Sequence, residues 1–407
     1  MRVQLERDPQ RWDMRLEGTR HDIFHTAGFQ RFAASMDEGD PYLIVVGDTD
    51  RGLAWPYVLR RVDVACGLDD SGARDVGSFH GYTGPVTWGL KPDDPFISQA
   101  LDEVRRAWRE QGAISAFTRF HPLLDNAAAM QGRLTDGRAT PEPLGETISI
   151  DCTIGEDEAV DGYARVLRQE ISRARRAGLQ TEPDPEWTHL ETFVRLYQDS
   201  MARKRAPAAY AVSSSDVQRM RDEMGEHLHL FVTRTERDVA AAGIFSEHQG
   251  YVGALMVGTD EAYRRWSPIK VMLDDVRRWA QGRGDTALHI GSGQGGRRDS
   301  LFDFKRRFSS RRHPLRIGTW ILDRERYREL VALRSQRLSE VGLRASDTGW
   351  FPAYRSPVMP SRPVGADKTR TELARIPIAP ERVRITVRPG LGATPVDRER
   401  VLEGVLR

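Results

Sequence analysis

The chain is poor in cysteine. Cys66 and Cys152 are the two in 407 residues, too few for a disulfide framework, and this spacing fits a reducing compartment. Long apolar runs are missing too. Nothing approaches the eighteen consecutive apolar residues of a membrane-crossing helix. The opening "MRVQLERDPQRW" has no apolar stretch of the secretory type. A cytoplasmic location is the expectation. A charge excess of one sign is also lacking: the formal net charge is +2. No Ser-His-Asp or Cys-His set of the nucleophilic kind stands out. His21 and His25 lie four residues apart with no third ligand suggested, and no metal site is expected.

What is present is a globular composition, 39% hydrophobic and 29% charged. Such a length implies two or three domains. The near-zero balance hides local basic excess. Arg297 to Arg312 holds seven basic residues against Asp299 and Asp303, and Arg165 to Arg176 holds five arginines against Glu170. Such patches suit phosphates, and nucleic acid is one candidate partner. A solvated basic surface is the plainer reading.

Three segments follow from the patterning. From residue 1 to 150, "PYLIVVGDT" and "GLAWPYVLRRV" read as strands, "PFISQALDEVRRAWREQG" as an amphipathic helix stopped at Gly112, and "AISAFTRF" as a buried strand. From 151 to 345, "AVDGYARVLRQEISRARRAGL" and "WTHLETFVRLYQDSMARKRA" read as helices. "LHLFVTRT", "VAAAGIFSEHQG" and "YVGALMVGT" read as a three-strand meander, "PIKVMLDDVRRWAQGRG" as a helix and "TALHI" as a strand. That order is the one a GNAT-type acyltransferase shows, and an internal duplication is plausible. From 346 to 407 the chain is rich in Pro and Arg and poor in periodicity, which predicts a mostly irregular extension. The fold class expected is α/β (α+β): two GNAT-like domains, each a mixed twisted sheet flanked by helices, plus the extension.

The stretch "HIGSGQGGRRDSLFDFKRRFSSRR" imitates a dinucleotide fingerprint. Gly291, Gly293 and Gly296 satisfy G-x-G-x-x-G after a strand-like run, and Asp323 ends the next one. Three points oppose that reading. The loop follows a meander rather than the first strand of a βαβ unit. Arg297 and Arg298 intervene before the helix, whose better N-cap is Asp299 or Ser300. The helix then carries Lys305, Arg306 and Arg307, where packing on a parallel sheet wants small residues. The place where a GNAT protein cradles coenzyme A pyrophosphate is "GTDEAYRRWSPIKVMLDDV", which lacks G-x-G and has Pro268 instead. The acyl donor is then expected on another carrier.

Six segments in order resemble one family. "FHGYTGPVTWG" is similar to its Y-G-Y-x-G-P turn, "ISAFTRFHPLLDN" to its R-F-H-P-L-L variant and "RQEISRARRAGLQ" to R-x-x-I-r-x-A-x-x-x-G. "LYQDSMARKRAPAAY" is similar to Y-x-x-T-M-x-R-x-x-A-x-x-Y, "SLFDFKRRFS" to F-x-F-K-x-x-F and "WFPAYR" to a family C-terminus. Over residues 20 to 355 the chain resembles the Fem-type aminoacyltransferases, which build peptidoglycan bridges. The resemblance implies a peptide bond made from an aminoacyl-tRNA ester and an acceptor amine. No cofactor beyond that co-substrate is implied. Such chemistry asks for positioning and for a cation or amide where oxyanion charge develops.

On this resemblance Lys305 is the catalytic cation and Phe304 lies near the aminoacyl end. Arg297, Arg298, Arg306 and Arg307 face donor phosphates, and Tyr82, Arg119, Arg203 and Arg205 the acceptor. Each has a plainer reading. Leu301, Phe304 and Phe308 form a core stripe at i, i+3, i+7. Lys305 reads otherwise as a surface lysine, and Arg203, Lys204 and Arg205 as complements to a helix C-terminus. His121 stands where bridge-formers often have Asp before the proline. It is either the proton acceptor for the attacking amine or a hydrogen-bonded core histidine. That departure, with the absence of a coiled-coil insertion, puts a muropeptide acceptor in doubt. The expected function is transfer of an amino acid from aminoacyl-tRNA to the amine of a small-molecule (specialised metabolite) or cell-wall precursor, by a monomer or weak dimer. An N-acyltransferase using acyl-CoA or an acyl carrier protein on an amino sugar, and a non-catalytic tRNA or precursor binder, are the rivals.

Overall fold

The computed structural model describes residues 2–360 apart from 37–38, 63–67, 69–71, 79–80, 92, 131–140, 205, 207–209 and 347–348. The first half runs β1 (Val3–Glu6), α1 (Pro9–Leu16), α2 (Ala27–Met36), β2 (Gly39–Gly47), β3 (Gly52–Arg61), β4 (Arg74–Gly77), β5 (Val86–Trp88), α3 (Pro95–Glu110), β6 (Ala113–Arg119) and β7 (Glu142–Asp151). The second begins with α4 (Glu156–Asp161) and α5 (Arg165–Arg176), then repeats the order: β8 (Gln180–Pro183), α6 (Leu190–Arg203), α7 (Ser214–Met224), β9 (Leu228–Arg234), β10 (Val239–His248), β11 (Tyr251–Thr259), α8 (Pro268–Arg283), β12 (Ala287–Gly291), α9 (Ser300–Lys305) and β13 (Arg312–Ile321). Last come α10 (Arg324–Glu340), β14 (Leu343–Ala345) and β15 (Val358–Pro360).

With β5 set aside in the first half and the short α9 in the second, both halves read β-α-α-β-β-β-α-β-β, and the duplication lies in the topology. All of these strands but β14 and β15 share one 13-stranded sheet, ordered β1-β2-β3-β4-β6-β13-β7-β12-β11-β10-β9-β8, with β5 on β3. Within it two pairs are parallel, β4 with β6 and β11 with β12. They are the same step in each half, and each is bridged by the long helix (α3 or α8) that a parallel crossover requires. Each half then gives its last strand away. β7 pairs with β12 of the second half, β13 with β6 of the first, and β7 and β13 with each other. The two GNAT-like domains are thus joined by exchanged strands.

The helix patterns explain the layers. α3 starts at Pro95 behind the Asp94 cap and buries Ile97, Leu101, Val104 and Trp108 against the first half of the sheet. Gly112 ends it in the left-handed region (φ 80°). α2 buries Phe29 and Phe32 in one cluster with Phe193, Leu196, Tyr197, Met220 and Met224 of α6 and α7. That core spans both halves, so neither is packed alone. The stretch expected as one helix ending at Gly178 is two, α4 and α5, interrupted at Gly162 to Ala164. Ala164 gives its N–H to Arg307 O at 2.8 Å instead of continuing the turn.

The segment after 345 is mostly irregular where it is described, and it wraps onto the first half. Tyr354 is fully buried and bonds Ser115 Oγ at 2.7 Å. Arg355 meets the buried Asp75 carboxylate together with Arg60. Residues 361–407 lie outside the described residues. No helix among the described residues is long and apolar enough to cross a membrane.

Candidate functional site

Lys305 is half-buried at the end of the six-residue α9. Its Nζ donates to Ser292 O at 2.7 Å, which turns it back over the end of β12. Burial pushes its ammonium down to about 8; the Asp299 carboxylate pulls the other way and Lys204 adds to the depression. Phe304 is half-buried, with its ring 5.6 Å from that of Phe308, so it keeps both a core contact and an open edge. The expected stripe needs correcting. With α9 only six residues long, Leu301 points outward (39% exposed), and the buried pair is Phe302 and Phe308.

The glycines serve this geometry. Gly291 sits at φ 75°, and a Cβ built on it would lie 3.3 Å from Lys305 Nζ and 3.6 Å from Tyr82 Oη. One small open point is therefore flanked by an ammonium from the second domain and a phenol from the first. Further along, a Cβ on Gly145 of β7 would lie 1.9 Å from Gly296 O. That close approach presses the loop onto the exchanged strand. A pyrophosphate has no cradle here, because the Asp299 carboxylate takes the amides of both Gln294 and Phe302 at 2.9 Å. Asp323, the supposed ribose partner, caps α10 through Arg326 N. At the alternative phosphate position Asp260 occupies the amide of Ala262, and α8 opens with Pro268.

Tyr82 is held by a clamped turn. Thr83 donates to Arg119 O at 2.8 Å, and its carbonyl accepts from His121 N at 3.0 Å and Asn126 Nδ2 at 2.9 Å. The Tyr82 ring stands edge-on to Phe24, His121 and His289, with centroids 5.5, 5.9 and 5.2 Å away. Burial raises its phenol pKa, partly offset by Arg119, so it stays a donor.

His121 is fully committed. Its Nδ1 accepts from Leu124 N at 3.2 Å and its Nε2 lies 2.7 Å from Asp22 Oδ2. The first bond fixes the tautomer with the proton on Nε2, leaving no free lone pair for a substrate proton. Burial works to raise the Asp22 carboxyl, but His121 and the Ile23 amide outweigh it and hold it below the usual range. His121 thus sits inside the hydrogen-bond network behind the Tyr82 turn.

Sequence reading missed His289, although it opens the glycine stretch. It is buried beside Tyr82, its Nε2 has no hydrogen-bond partner, and burial with neighbouring charges, His121 first, pushes it down to about 3. It belongs to a seam of imidazoles where the domains meet. His21 and His248 centroids are 4.8 Å apart, and His25 and His121 are 6.0 Å apart. His25 and His248 fall to about 3 and about 4 for the same first cause, burial. Among the described residues no group of three His, Cys, Asp or Glu is arranged to hold a metal ion.

The arginines divide. Arg119 is half-buried beside Tyr82 and makes no side-chain ion pair among the described residues. Arg203 is drawn away by Glu261, Thr259 O and Ser200, where it ties α6 to the end of β11. Arg205 lies outside the described residues. Arg298 pairs with Glu146 and Arg306 with Asp303, both exposed. Arg297 bonds only Gln294, and Arg307 is exposed with no side-chain partner among the described residues.

Residues 162–306 match the family described as "Acetyltransferase (GNAT) domain". Among solved structures, one titled "Crystal structure of FemX" is similar at TM-score 0.59 and 13% identity, over 81% of this chain and 99% of that one. A tandem GNAT protein from the clavulanic acid biosynthesis pathway gives TM-score 0.44 and 14% identity, over 79% and 99%. The C-terminal domain of a putative lysylphosphatidylglycerol synthetase from Agrobacterium fabrum gives 0.46 and 15%, over 76% and 90%. No curated protein is significantly similar in sequence. With a GNAT acetyltransferase domain matched over residues 162–306 and the fold of FemX shared over 81% of its length, the chain has a two-domain GNAT fold.

Proposed function

We propose that the protein transfers an amino acid from aminoacyl-tRNA to the amine of a small molecule or cell-wall precursor. The observation that carries this is the open point over Gly291 between Lys305 Nζ and Tyr82 Oη. An ester carbonyl oxygen placed there faces two donors from opposite domains. The amine adds to the ester carbon, the C–O π pair moves to oxygen, and Lys305 and Tyr82 hold the oxyanion. Collapse restores the carbonyl and releases the ribose oxygen of the tRNA, which takes up a proton as the amine loses one. Positioning and charge suffice because the ester is already activated. Lys305 has one proton on Ser292 O and two left to give. Arg119 borders the acceptor side, and Phe304 with Arg297 and Arg307 the donor side. Neither imidazole beside Tyr82 supplies the proton acceptor: both ring nitrogens of His121 are engaged, and burial leaves His289 too weak a base, at about 3.

A donor other than free coenzyme A agrees with the carboxylate-capped turn before Pro268. The test is tRNA retention at two salt concentrations, with charged and uncharged bulk tRNA. Submicromolar binding that weakens steeply with salt supports the reading. Lys305→Ala should then keep tRNA binding and lose transfer. Absence of binding at low salt refutes it and points to an acyl donor on a carrier protein.

A further inference from the structure

The exposed face of α5 is the second half of a basic surface that begins at Lys305. α5 has five arginines, and they fall into two groups. Arg168 is tied to Asp161 at 2.8 Å, and Arg175 to Asp274 and Asp275 at 2.6 Å. Arg165, Arg173 and Arg176 are exposed and have no carboxylate partner among the described residues. Glu170, the helix's one acid, is taken by Lys270 at 2.7 Å. Positions 165, 169, 173 and 176 follow helical spacing, so the three free arginines share one stripe. The opposite face, Leu167, Ile171 and Ala174, is packed into the core.

This stripe is physically joined to the candidate site. Ala164, immediately before α5, donates its N–H to Arg307 O at 2.8 Å, so the start of α5 abuts the end of α9. Arg307 and Arg297 also lack carboxylate partners among the described residues. Unpaired guanidinium groups therefore continue from the mouth of the Lys305 site along α5, about 18 Å of helix at 1.5 Å per residue. A helix dipole accounts for basic residues in the last turn. It does not account for Arg165 in the first turn, where the dipole disfavours a cation.

We infer that the α5 face is a docking surface for the phosphate backbone of RNA, and that it carries the body of the tRNA whose acceptor end lies at Lys305. This rests on the aminoacyl-tRNA reading above. Guanidinium groups that no carboxylate neutralises are suited to bidentate contact with phosphate, and they bind without reading sequence. The chemistry fits a partner recognised by backbone rather than by bases.

The experiment uses the full chain, filter retention and deacylated bulk tRNA from about 50 to 200 mM salt. The R165E/R173E/R176E variant is compared with wild type and with R219E/R324E/R328E, which makes the same charge change on exposed arginines elsewhere. Each lost phosphate contact lowers the slope of log K against log salt by roughly 0.7 to 0.9, so the α5 variant should lose about two units of slope and at least roughly tenfold in affinity at low salt. The control variant should stay within roughly threefold of wild type. Equal loss in both variants, or wild-type affinity and slope in the α5 variant, overturns the docking surface while leaving a tRNA donor standing. Wild type that binds phosphatidylserine vesicles but not tRNA overturns both and makes the face a membrane-contacting one.

Discussion

The imidazole seam sets a specific expectation for stability against pH. His25 and His289 are held near about 3 and His248 near about 4, against 6.5 in an unfolded chain. For a base whose folded pKa is depressed, the neutral form belongs to the native state. The stabilisation is complete above pH 6.5 and is lost as pH falls below it, because the unfolded chain takes up protons first. At pH 5 each of the three has lost about 2 kcal/mol, or about 6 kcal/mol together, at 1.36 kcal/mol per unit. Asp285 opposes this: burial raises it to about 6, so it returns about 1 kcal/mol over the same window. His21, His229 and His313, also lowered by burial, add to the loss, whereas Asp22 is held low and changes only below about pH 4. A net loss of about 5 kcal/mol is a large part of an ordinary folding free energy. The assay is melting temperature by tryptophan fluorescence from pH 7.5 to 5, with a fall on the order of 10 °C expected. His248→Gln should flatten the dependence by about one proton, roughly 1.4 kcal/mol per pH unit. A melting temperature flat to within about 2 °C over that range, corresponding to less than about 1 kcal/mol, would refute the buried neutral imidazoles.

Three other outcomes follow from the site and its frame. Lys305→Ala should lower kcat by about 10²- to 10³-fold, the usual cost of one oxyanion donor. In wild type, kcat should decline above pH 8 as the ammonium, pushed down by burial to about 8, loses its proton; a rate still rising at pH 9.5 contradicts the cationic role. Gly291→Ala combines strain at φ 75°, about 1–2 kcal/mol, with a methyl 3.3 Å from Lys305 Nζ, so the variant should fold yet lose transfer. Normal turnover in that variant places the reacting carbonyl elsewhere. Arg355→Ala leaves Asp75 to Arg60 alone in a fully buried setting and should cost about 2–4 kcal/mol by urea unfolding, whereas an unchanged midpoint makes residues 349–360 an ornament rather than part of the first domain.

The parts of this fold that are legible in the sequence are those set by local pattern. The meander of β9, β10 and β11 is three apolar runs with short polar turns between them. α3 and α8 start at Pro after a cap or turn and stop at Gly112 and Gly284, in the left-handed region at φ 80° and 85°. α7 was missed although Ser213 and Asp216 form a capping box, because its buried side is only Val217, Met220 and Met224. The break between α4 and α5 was missed because Gly162 is tolerable within a helix; its cause is tertiary, the bond from Ala164 to Arg307. At the site, the F-x-F-K segment located Lys305. Nothing in it showed that Leu301 faces out while Phe302 faces in. His289 had no local signal beyond its place at the start of the glycine stretch.

The long-range part is the exchange of β7 and β13. No pattern along the chain says that a strand passes its nearest neighbour to pair in the other half. Yet that exchange is what brings the two donors together. Lys305 is on the loop and short helix between β12 and β13, and Tyr82 is on a turn clamped to the end of β6. Since β13 pairs with β6 from Ile317↔Arg119 onward, the end of the Tyr82 clamp is itself hydrogen-bonded to the strand leaving Lys305: Phe120 donates to Arg316 O at 3.0 Å. A ladder fixes strand positions far more tightly than a linker between independent domains does. In a tandem fold without the exchange, the phenol and the ammonium would move with their own domains, and the point over Gly291 would open and close with every hinge motion. With the exchange, the spacing is set by register. A one-residue slip would turn every side chain of β13 to the other face of the sheet, carrying Leu315 and Trp320 out of the core. The same hydrophobic pattern that fixes the sheet therefore fixes the distance between the proposed donors.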